Sequence, residues 1–358
     1  MNILDPLQAP GLRSLRFGFY RLVYIRPTQV CPARCRHCSA RAEPGLGDTP
    51  SLERLAPWVQ SVLAVPGVEW IGIEGGEPFA ALPQLRFVLR AARDRGVSTS
   101  VVTNAYWAAD ERRAGKTLDA LPRIQLLIVS ADEFHEEFIP LRRIVHLLRA
   151  ARGRVDRLAV QTCVGPGYAQ FLERFRGEAG EELWEGLEMI EAPLAYLGRA
   201  KDDGIMEAPR ASKEYPDAPC LFLGTPVMRE DGVFVACCQQ EVVLDRRPAF
   251  YHLGSLTEKT AAEFKAFVDA DVFFQTLRVF GPGAVAAAAE RHDWGWTPRT
   301  YQQDNPCDLC QDLTAHPRVI EGFRKASDTP EYRNRLALIR SVLYEEPFRP
   351  FRETVSFR

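Results

Sequence analysis

Nine cysteines mark the 358-residue chain, at positions 31, 35, 38, 163, 220, 237, 238, 307 and 310. Cys31, Cys35 and Cys38 crowd into CPARCRHC, Cys237 and Cys238 are adjacent, and Cys307 and Cys310 form a CxxC; only Cys163 stands alone. In a reducing compartment such grouping points to metal ligands or catalytic thiols rather than disulfides. Three thiolates on a short loop can hold three irons of a cubane and leave the fourth iron without a protein ligand. Iron–sulfur clusters normally take four cysteines, so the triplet implies a coordination position kept open for another molecule. The competing chemistry is zinc, with His37 as a fourth ligand.

The cysteine loop follows an apolar run, LVYI, and the next such run, WIGI, leads into Gly75, Gly76, Glu77 and Pro78. Glycines at a strand's C-terminal edge let a ligand approach the backbone, and α/β sheets bind ligands at that edge. Together the CxxxCxxC loop and the GGEP turn resemble the radical S-adenosylmethionine (SAM) superfamily, over residues 21–200. The resemblance implies a [4Fe–4S] cluster on Cys31, Cys35 and Cys38 whose open iron is chelated by SAM. It also implies that Gly75, Gly76, Glu77 and Pro78 bind the SAM amino group, and that reductive cleavage yields a 5′-deoxyadenosyl radical that abstracts hydrogen from substrate. Thr103-Asn104 resembles the family's TNG turn, with Ala105 in place of the glycine. Ser130 and Asp132 resemble its S-x-D, the rival reading being an ordinary strand-end cap, and Arg199, in YLGRA, recurs there near the cofactor, the alternative being a pair with a surface acid.

A second pattern lies further on: Cys220, eleven residues, Gly232, four residues, Cys237, then Cys307 and Cys310. A hairpin turning at Gly232 brings Cys220 and Cys237 together, and the CxxC supplies two more thiolates to close the site. Zinc ribbons use similar spacings. Beside a radical SAM core the pattern resembles the SPASM/twitch extension, which implies one auxiliary [4Fe–4S] cluster. A full SPASM domain carries seven cysteines and two clusters; five cysteines lie here. Cys237 fits the spacing and Cys238 is the spare, though the two could exchange roles. Cys163, inside an apolar run, reads as a core cysteine.

Asp132 and His135, in DEFHEE after a strand, are the candidate acid/base pair, since imidazole titrates near neutral pH. The alternative is a solvated acidic helix start. The other five histidines, His37 among them, show no clustering in sequence. Trp294 and Trp296 either line a substrate cleft or pack within the extension.

These groups must be positioned by alternating elements. Apolar, β-branched runs at 22–25, 70–73, 98–103, 125–130, 158–163 and 187–191 predict six strands. Helical spacings between them, such as 51–63 behind a Ser cap and 82–96 ending in glycine, predict the connecting helices. The expected fold is α/β, a partial (β/α)6 TIM-like barrel with a smaller C-terminal iron–sulfur extension. The divisions are an N-terminal extension at 1–20, the core at 21–200, a polar linker at 201–219 and the auxiliary-cluster domain at 220–358. Net charge is -2, with no basic footprint for nucleic acid. No run is long enough for a membrane helix and no signal peptide is evident, which predicts a cytoplasmic protein.

Within the resembled family, cores with such extensions mostly modify ribosomally made peptides; a minority oxidise or rearrange small molecules such as sugars and aminocyclitols. The expected partners are therefore a peptide or small-molecule substrate and a flavodoxin- or ferredoxin-type electron donor. The first strand begins at Leu22, so the expectation is that a leader peptide would be bound by a separate protein or not at all. A zinc-stabilised, non-enzymatic binding module leaves GGEP unexplained.

Overall fold

A computed structural model describes residues 20–215, 218–220, 222–247, 249–302, 305–344 and 346. The N-terminal extension expected at 1–20 lies outside the described residues except for Tyr20, as do 216–217 of the linker and the chain beyond 346.

Six parallel strands build the core: β1 (Leu22–Ile25), β2 (Trp70–Ile73), β3 (Ser98–Thr103), β4 (Leu126–Ser130), β5 (Arg157–Val164) and β6 (Glu188–Pro193). They stand side by side in chain order, each hydrogen-bonded to the next. Parallel neighbours need crossovers, and crossovers are right-handed. A sheet wound in one direction therefore carries its helices on one face and its strand ends on one rim, the winding of a partial (β/α)6 barrel. The expected strand positions hold to within two residues. β4 is buried along Leu126–Val129 because both faces are covered, whereas β3 alternates buried and half-buried residues.

The connecting helices obey their capping signals. Ser51 Oγ accepts from the Arg54 amide ahead of the helix Leu52–Leu63. The helix Leu82–Asp94 is entered through a single 3₁₀ turn, Pro78–Ala81, directly after Glu77.

The extension does not hang from the linker as a separate body. After a two-residue strand β7 (Ala211–Ser212) come β8 (Val227–Met228), β9 (Val233–Val235) and β10 (His252–Ser255). β8 pairs in parallel with β1, Tyr24 opposite Val227 and Ile25 opposite Met228. β9 and β10 follow in antiparallel register, giving one nine-stranded sheet. The β8–β9 turn falls at Asp231-Gly232 as expected. Met228, Phe234, Leu256 and Phe264 of the extension share a core with the barrel helices, and Trp58 Nε1 donates to Thr257 Oγ1 at 3.1 Å.

A second core, centred on Phe273, Phe274, Leu277 and Leu309, surrounds the later cysteines. Here β11 (Tyr301–Gln302) pairs with β7. Trp296 is buried in this core and donates to Asp312 Oδ2 at 2.8 Å, and Trp294 stacks on His292. Both tryptophans pack within the extension, the second of the two roles the sequence allows. Among the described residues no single helix is long and apolar enough to cross a membrane.

Candidate functional site

The strand ends of β1 to β6 open onto one cleft, and the residues singled out in sequence converge there. Its lining includes Cys31, Cys35 and Cys38 from the loop after β1, Gly75, Gly76 and Glu77 after β2, and Thr103 and Asn104 at the end of β3. Ser130 at the end of β4 and Asp132 just beyond it, with His135, complete that set. Pro78 is buried at the start of the 3₁₀ turn and is not among the lining residues, nor is Arg199.

The two glycines have a structural task that precedes any ligand. The Gly76 amide donates to Thr28 O at 2.9 Å and the Glu77 amide to Val30 O at 2.8 Å, so the GGE edge runs against the stem of the cysteine loop. A Cβ on Gly76 would lie 2.2 Å from Val30 O, and one on Gly75 would lie 2.4 Å from Thr28 O. The expected close approach is thus made first of all by the chain's own backbone.

Glu77 locks the next strand end. Its carboxylate is 1 % exposed and accepts from the Phe79 amide (3.0 Å), Thr103 Oγ1 (2.8 Å) and the Asn104 amide (2.7 Å). Burial pushes its pKa up to about 7 in spite of these donors. Ala105 takes a left-handed conformation, φ 63°, so the turn keeps the geometry a glycine would give it. From that turn Asn104 Nδ2 donates to Cys31 Sγ at 3.4 Å.

Arg199 clamps the loop from behind. Its guanidinium is 4 % exposed and donates to Cys35 O at 3.0 Å and to Ala42 O, while its amide donates to Cys38 O at 3.1 Å. The resemblance puts this arginine beside the cofactor. In the structure it holds the backbone that carries the cysteines, a job for a rigid fork of donors.

Asp132 caps the short helix Glu133–Glu136, Oδ1 accepting from the Phe134 and His135 amides. His135 Nδ1 lies 2.9 Å from Oδ1 without hydrogen-bond alignment, and His37 Nε2 lies 3.3 Å from Oδ2. Burial alone would raise Asp132, yet the two imidazoles hold it below its ordinary value. Burial opposes charge on His135 too, but the Asp132 carboxylate holds it above the usual histidine value. His37 is therefore part of this group, although no histidine clustering shows in the sequence. Its place between Cys35 and Cys38 was the available signal, because the loop carrying them must face the neighbouring strand ends.

The second cysteine group lies under the extension. Cys220, Cys237, Cys307 and Cys310 line one apolar chamber with Leu223, Val242 and Leu277. Tyr251 Oη is 2.7 Å from Cys310 Sγ and the Gln239 amide donates to Cys237 Sγ at 3.4 Å. Cys238 is not among the lining residues, though it interacts electrostatically with Cys220 and Cys307.

Both cysteine sets carry the donors that an iron–sulfur cluster needs. Four thiolates on one zinc, each about 2.3 Å from it, stand roughly 3.8 Å apart. Among the described residues, the ligand atoms of His37, Asp132 and His135 also lie within 4.8 Å of one another. In a cubane each thiolate binds a different iron. N–H and O–H donors to the sulfurs also suit thiolates on a cluster. Burial pushes the Cys31 and Cys307 thiols up to about 12 and raises Cys35, Cys237 and Cys310 as well. A bound metal is what would deprotonate them. Cys163 is buried on β5 at the cleft wall.

Comparison with known proteins bears on the first of these sites. Residues 25–169 match the family model of the Radical SAM superfamily. The matched stretch spans less than half of the 358-residue chain. It runs from the end of β1 into the helix after β5 and so contains the cysteine loop and the GGE edge. No curated protein matches the chain. Solved structures similar to it include native anSMEcpe with bound AdoMet and Kp18Cys peptide, at 15% identity and TM-score 0.47, covering 68% of this chain and 79% of that one. SuiB of Streptococcus suis bound to precursor peptide SuiA is similar at 13% identity and TM-score 0.48, covering 69% and 64%. BtrN in complex with AdoMet and 2-DOIA is similar at 12% identity and TM-score 0.44, covering 74% and 89%.

Proposed function

We propose that the protein is a radical SAM enzyme with one auxiliary [4Fe–4S] cluster, acting by hydrogen abstraction on a ribosomally made peptide. The observation that carries the reading is the convergence of Cys31, Cys35 and Cys38 with the GGE edge on one cleft. When bound, a cluster and SAM would supply a carbon-centred radical at that cleft. The protein's own part is to fix the cysteine loop through Arg199 and Gly76, to hold Glu77 against the β3 turn, and to exclude water. His135, beside the Asp132 carboxylate in the cleft, is the group that would move a proton there. A small polar substrate is the second reading, favoured by the Thr162 hydroxyl, which is buried at the cleft wall without a partner.

Anaerobically reconstituted protein should bind about eight irons, four per cluster. Reduced with dithionite, it should convert SAM to 5′-deoxyadenosine. An intact first cluster that gives only methylthioadenosine, or no cleavage at all, would overturn the assignment. Incubation with candidate precursor peptides and with aminocyclitols, followed by mass spectrometry, separates the two substrate readings.

The auxiliary cysteines give a second expectation. Cys237→Ala should lower bound iron by about half, since a cubane normally takes four thiolates, and should stop finished product while 5′-deoxyadenosine still forms. Cys238→Ala should leave both nearly unchanged. Equal iron loss in the two variants would mean that Cys238 is a ligand.

A further inference from the structure

Between the two cysteine groups lies a chain of polar side chains that neither site, as described, uses. Gln240 opens the helix Gln240–Leu244, three residues after Cys237, and is 7 % exposed at the cleft wall. Its Oε1 accepts from Arg26 Nη1 at 2.8 Å, and its side chain also hydrogen-bonds to Glu74, the residue before Gly75. Arg26 is 1 % exposed; its Nη2 donates to Gln29 Oε1 at 3.1 Å, and Gln29 Nε2 donates to Ala40 O at 2.7 Å in the cysteine loop. The amide of Gln240 thus ties the auxiliary segment to the GGE edge on one side and, through Arg26, to the cysteine loop on the other.

The start of that helix is in turn set by the auxiliary cysteines. The Gln239 amide is directed at Cys237 Sγ, and Gln239 Oε1 caps the helix by accepting from the Val242 amide at 2.9 Å. Wherever Cys237 is held, Gln240 follows. A buried amide with both ends engaged cannot shift without breaking one of its bonds, and an unmade buried bond is expensive.

We propose that Gln240 is a positioning residue that couples metal loading at the auxiliary cysteines to the affinity of the cleft for SAM, by holding Glu74 and Arg26. The proposal rests on the radical SAM reading of the cleft. Its chemistry is a hydrogen-bond relay: Gln240 donates to the Glu74 carboxylate and accepts from Arg26, and those two contacts fix the backbone on both sides of the SAM-binding edge.

The test is SAM affinity, measured by anaerobic equilibrium dialysis on the reconstituted full chain. Cys307→Ser/Cys310→Ser, which empties the auxiliary site, should weaken SAM binding about tenfold, within the usual range of coupling between sites. Gln240→Ala should weaken it to a similar degree with the auxiliary iron still bound, and adding the cysteine pair should then change nothing further. Gln240→Glu keeps the acceptor for Arg26 but sets a carboxylate beside Glu74, so it should also weaken binding. The exchange Glu74→Gln/Gln240→Glu restores donor and acceptor to the pair and should bring affinity back toward wild type. Because the Gln240 variants leave every cysteine in place, they report even where loss of the auxiliary ligands unfolds the extension. Equal SAM affinity in wild type and Gln240→Ala, or losses that simply add in the combined variant, would overturn the proposal. Wild-type protein with a full iron complement that binds no SAM would instead overturn the reading beneath it.

Discussion

Gly76→Ala is expected to abolish SAM cleavage and to strip the first cluster while the auxiliary one stays. The added Cβ would stand 2.2 Å from Val30 O and 2.4 Å from Gln29 O, and both obstacles are backbone. A side chain could rotate away; the stem of the cysteine loop cannot, because it is pinned by the Gly76 and Glu77 amides. The loop must therefore move, and Cys31 is the very next residue after Val30. Displacing a reacting centre by about 1 Å is enough to lose roughly a hundredfold in rate. Formation of 5′-deoxyadenosine should fall by at least that factor, with bound iron reduced by about half. Gly177→Ala serves as the control: it lies in the helix Tyr168–Ala179 with nothing within 4 Å of the new Cβ, and it should be neutral or slightly stabilising. Wild-type iron and cleavage in Gly76→Ala would show that the loop stem yields more easily than its hydrogen bonds imply.

Arg199→Lys should damage the same loop from the opposite side. The guanidinium forks to Cys35 O and Ala42 O from a buried position. An ammonium group is compact and cannot span both carbonyls, so at least one buried acceptor loses its partner. That loss costs about 1–3 kcal/mol. Thermal unfolding should shift down by a few degrees at most, since the shift is about 2–4 °C per kcal/mol at 150–250 residues and smaller in a longer chain. Iron at the first site should become labile to chelator while iron on Cys237 and its partners does not. Chelator kinetics followed in the visible spectrum would measure this. Equal lability at both sites would mean that Arg199 serves the fold as a whole rather than the loop.

How much of this was legible in the sequence depends on whether a feature is local. The six core strands and the Ser51 cap are set by short apolar runs and one side chain, and they lie where the pattern places them. The hairpin at Asp231-Gly232 is equally local. What it pairs with is not: two residues, Val227 and Met228, join the extension to β1, and no period in so short a strand announces a partner. Arg199 and Gly76 read as ligand-facing positions because family motifs single them out. Their contacts with the cysteine loop are long-range, backbone-directed and silent in composition. His37 looked isolated because its neighbours, Asp132 and His135, are separated from it by three strands of chain. Gln240 carried no signal at all, since a glutamine near a cysteine pair is ordinary until Arg26 and Glu74 are seen to meet it.

The join between β1 and β8 also bears on how the chain comes off the ribosome. Tyr24 waits for Val227, which is 203 residues further along (227 − 24). At roughly 5–20 residues per second, that wait lasts on the order of ten to forty seconds. During it the barrel can be complete on the β2 side while the other edge of β1 offers bare N–H and C=O groups, a template for pairing with another nascent chain. A gene cut at the polar stretch after β6 makes that exposure permanent. The extension is thus the cover that ends the core's period of stickiness, whatever metal it later holds.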